Sequence, residues 1–276
     1  MTNGVKLEHQ HKGRMTKEGI RIHEIADFEG MRAAGALAAQ ILDEIADAVV
    51  PGVTTSALDQ MVTDKVDAAG AKSATIGYKG YQHASCISVN HVVCHGIPGP
   101  KVLKEGDILN IDVTVIVDGW FGDTSRMYVA GRPNRKAERL IQVTHDALFK
   151  GIEQVKPGNT FGDIGAAIQK YVESHRMSVV RDFCGHGLGR VFHAPPNVLH
   201  YGRPGTNATL EEGMFFTIEP MVNLGRPETK VLPDDWTAVT RDRSLSAQFE
   251  HSVGVTADGV EIFTLSPAGK FHPTYG

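Results

Sequence analysis

Four carboxylates in this chain stand where carboxylates are costly. Asp112 and Asp123 interrupt the strand-like run ILNIDVTVIVDGWFGDTSRMY over 108–128. Glu219 lies within the apolar stretch FFTIEPM, and Glu250 within SAQFEHSVGV. Aspartate is a poor strand former, and an ionised carboxylate is not buried without a cation, hydrogen bonds or a metal. A solvated sheet face accounts for one such pair; four placements in four strand-like segments point to a shared task. His186 joins them from the glycine-flanked loop FCGHGLGRVFHAPPNVLHY over 183–201, where Gly185, Gly187 and Gly189 let the backbone approach something closely.

Asp, Asp, His, Glu and Glu form an oxygen-rich set with one imidazole. Structural zinc prefers closed tetrahedra of Cys and His. This set suits a pair of divalent ions such as Co, Mn, Fe(II) or Zn, which need carboxylates able to bridge them. Without metal the clustered charges would raise one another's pKa. Other chemistries lack their signatures. There is no HExxH and no G-x-S-x-G, and the glycines around His186 have the wrong spacing for a phosphate-binding turn.

The elements that would position these residues can be read from period and turns. Asp118-Gly119 is a two-residue hairpin signal. It pairs Val117 with Trp120 and Thr114 with Asp123, placing Asp112 diagonal to Asp123 on one face, about 7–8 Å away. Leu109, Ile111, Val113, Val115 and Val117 then alternate onto the other face, free to pack on helices. A repeat extends the argument. VVPGVTTSALDQMVTDKV (49–66) matches VKPGNTFGDIGAAIQKYV (155–172), with Thr54 and Thr160 as helix N-caps after Pro-Gly breaks. Apolar stripes Leu58, Val62, Val66 and Ile164, Ile168, Val172 mark helices. Upstream, Met31, Ala34, Ala38, Ile41, Ile45 and Ala48 mark another, as do Leu140, Thr144, Leu148, Ile152 and Val155. LKEGDILNID (103–112) matches LEEGMFFTIE (210–219), making Asp112 and Glu219 equivalent. The expectation is an α+β fold of two pseudo-symmetric helix-helix-strand halves, roughly 27–130 and 135–265, fused into one catalytic domain over 15–276 behind a flexible tail, 1–14. His9 and His11 fall in that polar tail and read as tail residues.

With 276 residues the chain can bury a substantial core without staples. A net charge of −4 gives no basic footprint for nucleic acid. The three cysteines, Cys86, Cys94 and Cys184, form no CxxC pair and fit a reducing cytoplasm. No apolar run is long enough to span a membrane, and MTNGVKLEHQHKGRM has no signal-peptide core.

Together these residues resemble the pita-bread metallopeptidases and, within them, the type I methionine aminopeptidases of the bacterial type that lacks an N-terminal zinc extension. The resemblance rests on GYKGYQHASCISVNHVVCHGIP (77–98), GDILNIDVTVIVDGWFGDTSRMY (106–128), CGHGLGRVFHAPPNVLHY (184–201), EEGMFFTIEPM (211–221) and DDWTAVTRDRSLSAQFEHSV (234–253), in that family's order. It implies a pita-bread fold with two divalent metal ions held by Asp112, Asp123, His186, Glu219 and Glu250, Asp123 and Glu250 bridging. It further implies His95 and His193 as accessory histidines contacting substrate, and Tyr78, Tyr81, Cys86, Phe192 and Trp236 as the walls of a methionine pocket. Glu219 is the candidate for proton transfer, His193 for stabilising the tetrahedral charge and His95 for assisting the leaving amine. The implied activity is removal of N-terminal methionine from nascent proteins and peptides, with a small second residue preferred. The family's role also implies docking near ribosomes, and many relatives are monomers. Two positions depart from the pattern: Thr75 stands where some bacterial members carry cysteine, and His91 replaces a commoner acidic residue. The alternatives are a Pro-specific aminopeptidase or dipeptidase of the same fold, which usually carries an extra N-terminal domain, and a non-catalytic peptide-binding relative, which typically loses ligands.

Overall fold

The computed structural model describes residues 13–270 and 272. Its elements run α1 (Asp27–Ile45), α2 (Thr55–Ala68), β1 (Lys72–Ser73), β2 (Ser85–Val89), β3 (Val92–Cys94), β4 (Ile108–Val117), β5 (Trp120–Val129), α3 (Arg135–Ile152), α4 (Phe161–Ser174), β6 (Ser178–Val179), β7 (Gly185–Gly187), β8 (Ala194–Val198), β9 (Phe215–Ile218), β10 (Met221–Asn223), β11 (Thr229–Val231), β12 (Ala238–Thr240), β13 (Ser246–Gln248), β14 (His251–Val255) and β15 (Val260–Ile262). The fold is α+β, and its strand pairs are antiparallel.

The β4–β5 hairpin has the register its turn dictates. Val117 faces Trp120, Thr114 faces Asp123, and Asp112 faces Ser125. Asp118 and Gly119 both take positive φ, 48° and 81°, the backbone a tight hairpin of this hand requires. On one face of β4, Leu109, Ile111, Val113 and Val115 pack against Ala38, Ile41, Leu42 and Ile45 of α1 and Leu58, Val62 and Val66 of α2. Each fully buried Ile or Leu contributes about 2 kcal/mol, so the apolar face fixes which way the opposite, carboxylate-bearing face looks. A second core packs α3 and α4, through Leu140, Leu148, Ile164, Ile168 and Val172, against Phe216, Ile218 and Val253 of β9 and β14. Ala48 and Val155, the last residues of the two upstream stripes, lie beyond the helix ends.

Equivalent positions of the two halves make equivalent contacts. Gly52 N–H donates to Leu103 O at 2.8 Å, and Gly158 N–H to Leu210 O at 3.1 Å. Leu103 N–H donates to Val53 O at 2.8 Å, and Leu210 N–H to Asn159 O at 2.7 Å. The helix starts differ in detail. Thr54 Oγ1 accepts from Ala57 N–H at 3.2 Å, whereas Thr160 forms a reciprocal capping box in which Asp163 also accepts, from the Thr160 N–H and hydroxyl at 2.7 and 2.8 Å. Of the expected tail, residues 1–12 lie outside the described residues, His9 and His11 among them. Arg14, at its end, is ion-paired with Glu211.

Two sequence expectations need correction. FFTIEPM is not one strand: β9 ends at Ile218, and β10 begins at Met221. SAQFEHSVGV divides likewise, between Gln248 and His251. Ile218 pairs with His251 and Met221 with Gln248, so one long ladder is broken at facing positions. Pro220, which has no N–H to donate, sits at that break. Glu219 and Glu250 therefore occupy strand breaks rather than strand middles. Conversely, His186 lies in strand β7, between β9 and β8, and not in a loop.

Candidate metal centre

Five elements bring the five expected ligands to one place. Asp112 and Asp123 come from the polar face of the hairpin, His186 from β7, and Glu219 and Glu250 from the two facing breaks. His186 Nε2 is 3.5 Å from Asp123 Oδ2 and 3.7 Å from Glu219 Oε1. Ligand atoms of Asp123, His186 and Glu250 lie within 4.8 Å of one another. Asp112, Asp123, Glu219 and Glu250 all line one cavity of about 240 Å3.

The orientation of each donor has a local cause. Gly185 and Gly187 let β7 lie tight between its neighbours: a Cβ on Gly187 would meet Pro195 O at 2.2 Å, and one on Gly185 would meet Thr217 O at 2.4 Å. The His186 N–H donates to Thr217 Oγ1 at 3.0 Å. Its ring Nδ1, 3.1 Å from Gly187 O, must carry the proton, because a carbonyl only accepts. Nε2 is thereby left as a bare donor facing the carboxylates, the arrangement of a metal-ligating histidine. Thr114 Oγ1 donates to Asp123 Oδ1 at 2.7 Å. Thr217 Oγ1 and Gln248 Nε2 hold the two Glu219 oxygens at 2.8 and 3.2 Å. The Glu219 N–H, deprived of its ladder by the break, donates to Nε2 of the fully buried His200 at 3.1 Å. Glu250 N–H donates to Ser125 O at 3.0 Å.

The electrostatics show what this cluster would accept. Burial, then the charges of Asp123 and Glu219, push Asp112 well above the usual carboxylate range. Glu250 is pushed up by burial and by the same two neighbours. Burial lifts Glu219 to about 7 against the pull of His186, Thr217 and Gln248. Burial lowers the proton affinity of His186, but Asp123 and Glu219 outweigh it and raise it. Asp112 Oδ1 is buried with no hydrogen-bond partner. An orphaned, buried carboxylate oxygen among three other carboxylates is a position for a cation. The donor set, oxygen-rich with one imidazole, fits divalent metal.

The cavity wall carries every residue expected to meet substrate. Tyr78, Tyr81, Cys86, His95, Phe192, His193 and Trp236 all line it, with Thr75 and Lys79. Cys86 faces Asp112 across β2 and β4, which seats the thiol at the floor. Tyr81 and Trp236 meet edge to face at 4.8 Å, and Tyr78 and Phe192 pack at 4.9 Å. Tyr78 also stacks on His193 at 5.1 Å, and His193 lies 4.1 Å from the His186 ring. Burial, with His186 next, pushes His193 down to about 4, so it is neutral at ordinary pH. Burial likewise lowers His95. His95 holds a left-handed backbone, φ 55°, with its ring edge-on to Phe183 and Trp236. Of the two departures, Thr75 is in the wall, its hydroxyl donating to His83 O at 2.7 Å. His91 is outside the cavity, and burial and the nearby charges of Arg243, Lys101 and Lys230 lower its pKa.

Thr114, Thr217, Gln248, His200 and Lys79 are additions the sequence reading did not make. For three of them a signal existed. Thr114 faces Asp123 in the hairpin register, and Thr217 and Gln248 precede Glu219 and Glu250 by two residues, the period of a strand face. Nothing in VLHY marks His200.

Comparison with known proteins gives a consistent picture. Residues 29–257 match the model of metallopeptidase family M24. The chain is 59% identical over 257 residues to the methionine aminopeptidase of Rickettsia prowazekii, covering 93% of this chain and 99% of that one. It is 53% identical over 248 residues to the methionine aminopeptidase of Escherichia coli K12, covering 89% and 94%. The crystal structure of the Rickettsia prowazekii enzyme superposes with a TM-score of 0.89 at 60% identity, over 89% of this chain and all of that one.

Proposed function

The chain belongs to metallopeptidase family M24, and on that premise we propose that it removes methionine from the N-termini of peptides and nascent proteins, preferring a small second residue. One observation carries the reading: a single cavity has a floor of four carboxylates and an aromatic wall. Asp112, Asp123, His186, Glu219 and Glu250 would hold two divalent ions, with Asp123 and Glu250 shared between them. Bound there, the ions supply Lewis acidity and water of lowered pKa.

The chain's own residues do the rest. Tyr78, Tyr81, Cys86, Phe192 and Trp236 enclose an unbranched thioether, which gains from apolar and sulfur–aromatic contact. Tyr78, Phe192 and His193 pack on one another at the rim, which crowds the second residue and favours a small one. Glu219, held at both oxygens, can take a proton at Oε and return it to the leaving amine. His193, neutral, offers an N–H to negative charge developing on the substrate carbonyl, worth about 3 kcal/mol. His95, fixed by its aromatic neighbours, contacts the scissile amide. Every donor comes from one chain, which supports a monomer as the working unit. The three cysteines are unpaired, which supports a reducing cytoplasm, where N-termini emerge from ribosomes.

The test is chelation, then titration with Mn, Co, Fe(II) and Zn, assayed on Met-Ala-Ser and on X-Pro peptides. Restored cleavage of Met-Ala-Ser alone, with about two ions per chain by mass spectrometry, is the expected result. Cleavage of X-Pro peptides would move the assignment to the Pro-specific alternative. Metal binding without turnover would leave the non-catalytic one.

A further inference from the structure

Lys79 is a charged residue of the cavity wall that the reaction above does not use. It sits in the run Gly77-Tyr78-Lys79-Gly80, where Gly77, Lys79 and Gly80 all hold positive φ, at 84°, 47° and 88°. A lysine in that region carries strain that glycine would not. The flanking turn is fixed by Gly77 N–H donating to Tyr81 O at 2.7 Å and Tyr81 N–H donating to Tyr78 O at 2.9 Å. The backbone thus sets where the side chain starts, and Lys79 Nζ lies 5.4 Å from the Tyr78 ring centroid, a cation–π contact. Tyr78 in turn stacks on His193. Among the described residues Lys79 has no carboxylate in ion-pair contact. The cavity's four carboxylates are deep, whereas Lys79 is exposed. An ammonium with no carboxylate partner therefore stands at the rim, with the Tyr78 ring between it and His193.

Resting on the methionine-removal reading, we propose that Lys79 sets a charge preference for the residues just after the scissile bond, favouring peptides with an acidic side chain there over basic ones. The first residue fills the cavity, and each further residue advances the chain by about 3.5 Å. The second and third side chains therefore pass the rim while still within reach of the ammonium. Opposite unit charges about 6 Å apart in water attract by a factor of about three, and like charges repel by the same factor. An Asp peptide should thus gain about ten-fold over a Lys peptide from this one residue at low ionic strength.

The experiment compares kcat/KM of the Mn-loaded full chain on Met-Ala-Asp-Ser and Met-Ala-Lys-Ser amides, for the natural protein, K79A and K79E. K79A should lower the Asp-to-Lys ratio by about ten-fold and K79E by about a hundred-fold. Both shifts should shrink as salt rises from about 0.01 M to about 1 M, where the screening length falls from about 30 Å to about 3 Å. Met-Ala-Ser, which has no charged side chain, is assayed alongside to divide out any general change in turnover that loss of the Lys79–Tyr78 contact causes. If both peptides are cleaved and the ratio is the same in all three proteins, Lys79 does not select charge and this inference fails alone. If the natural protein cleaves neither Met peptide, it is the methionine reading that fails.

Discussion

Replacing Asp112 with asparagine should stabilise the metal-free protein while removing its ability to hold metal. Asp112 Oδ1 is buried without a hydrogen-bond partner, among the like charges of Asp123 and Glu219. Glu219 illustrates the cost: burial, with the charge of Asp123, lifts it from 4.5 to about 7 against the pull of His186, Thr217 and Gln248. A lift of that size is about 3 kcal/mol of stability lost once the group is ionised in the fold. Asp112 and Glu250 are displaced in the same direction. Because these folded-state pKa values lie above the unfolded ones, the folded protein holds its protons more tightly. For Glu219 the cost is absent below about pH 4, where the carboxyl is protonated in both states, grows as pH rises from there, and is complete above about 7; for Asp112 and Glu250 it likewise appears as pH rises. For a chain of this size 3 kcal/mol corresponds to about 6 °C in melting temperature. The amide introduced by D112N carries no charge and can donate to a neighbouring carboxylate. Chelated D112N should therefore melt several degrees above chelated natural protein at pH 8, with the gap closing towards pH 4. Added Mn should raise the natural protein above the variant. Differential scanning fluorimetry across pH, with and without metal, reads all of this. A chelated variant that melts at or below the natural protein at pH 8, or a gap that ignores pH, would refute the account.

Three further outcomes follow from named contacts. E219Q keeps a shape that Thr217 and Gln248 can still hold; it should lower kcat by about a hundred-fold or more with the fold intact, and near-normal turnover in metal-loaded protein would reject Glu219 as the proton carrier. Asp59 accepts from Ser85 N–H and Oγ at 2.9 and 2.7 Å and from His83 Nδ1 at 3.1 Å, pinning the loop that carries Tyr81; D59A should raise KM for Met peptides several-fold, kcat changing less, at a stability cost of about 1–3 kcal/mol, and an equal fall in kcat and kcat/KM would contradict this. G187A places a Cβ 2.2 Å from Pro195 O, so β7 must move and carry His186 with it; metal affinity, by competition with a chelator, should fall about ten-fold or more.

How much of this was legible in the sequence depended on distance along the chain. Register, hairpin turn and the carboxylate face were readable because Asp118-Gly119 fixes every pair from Val117–Trp120 back to Ile108–Val129 by local geometry alone. The helix stripes were readable for the same reason: Leu58, Val62, Val66 and Ile164, Ile168, Val172 are all fully or nearly fully buried. The break at Glu219–Pro220 was less legible. Apolar content there reads as strand, and only the facing break at Phe249–Glu250, known from the ladder, shows why the strand stops. His200 was not legible at all. Its role, accepting the Glu219 N–H from nineteen residues away, has no period or motif and exists only once β8 and β9 are folded.

The breaks explain how an antiparallel scaffold can aim carboxylates inward without leaving backbone groups unsatisfied. Turning Glu219 and Glu250 out of the ladder frees amides that a buried site cannot leave unpaired. His200 takes one of them, and Ser125 O, from the first half, takes the other. Thr124 Oγ1 donates to Glu250 O at 2.7 Å, and Ser252 Oγ to Asp123 O at 2.6 Å. The hairpin of one half thus closes the break of the other by hydrogen bonds to the backbone of two candidate ligand residues. Asp123 and Glu250, the pair proposed to be shared between ions, are the two carboxylates joined in this way. Their mutual placement is held by the seam between the halves, through backbone groups that the carboxylates themselves do not use.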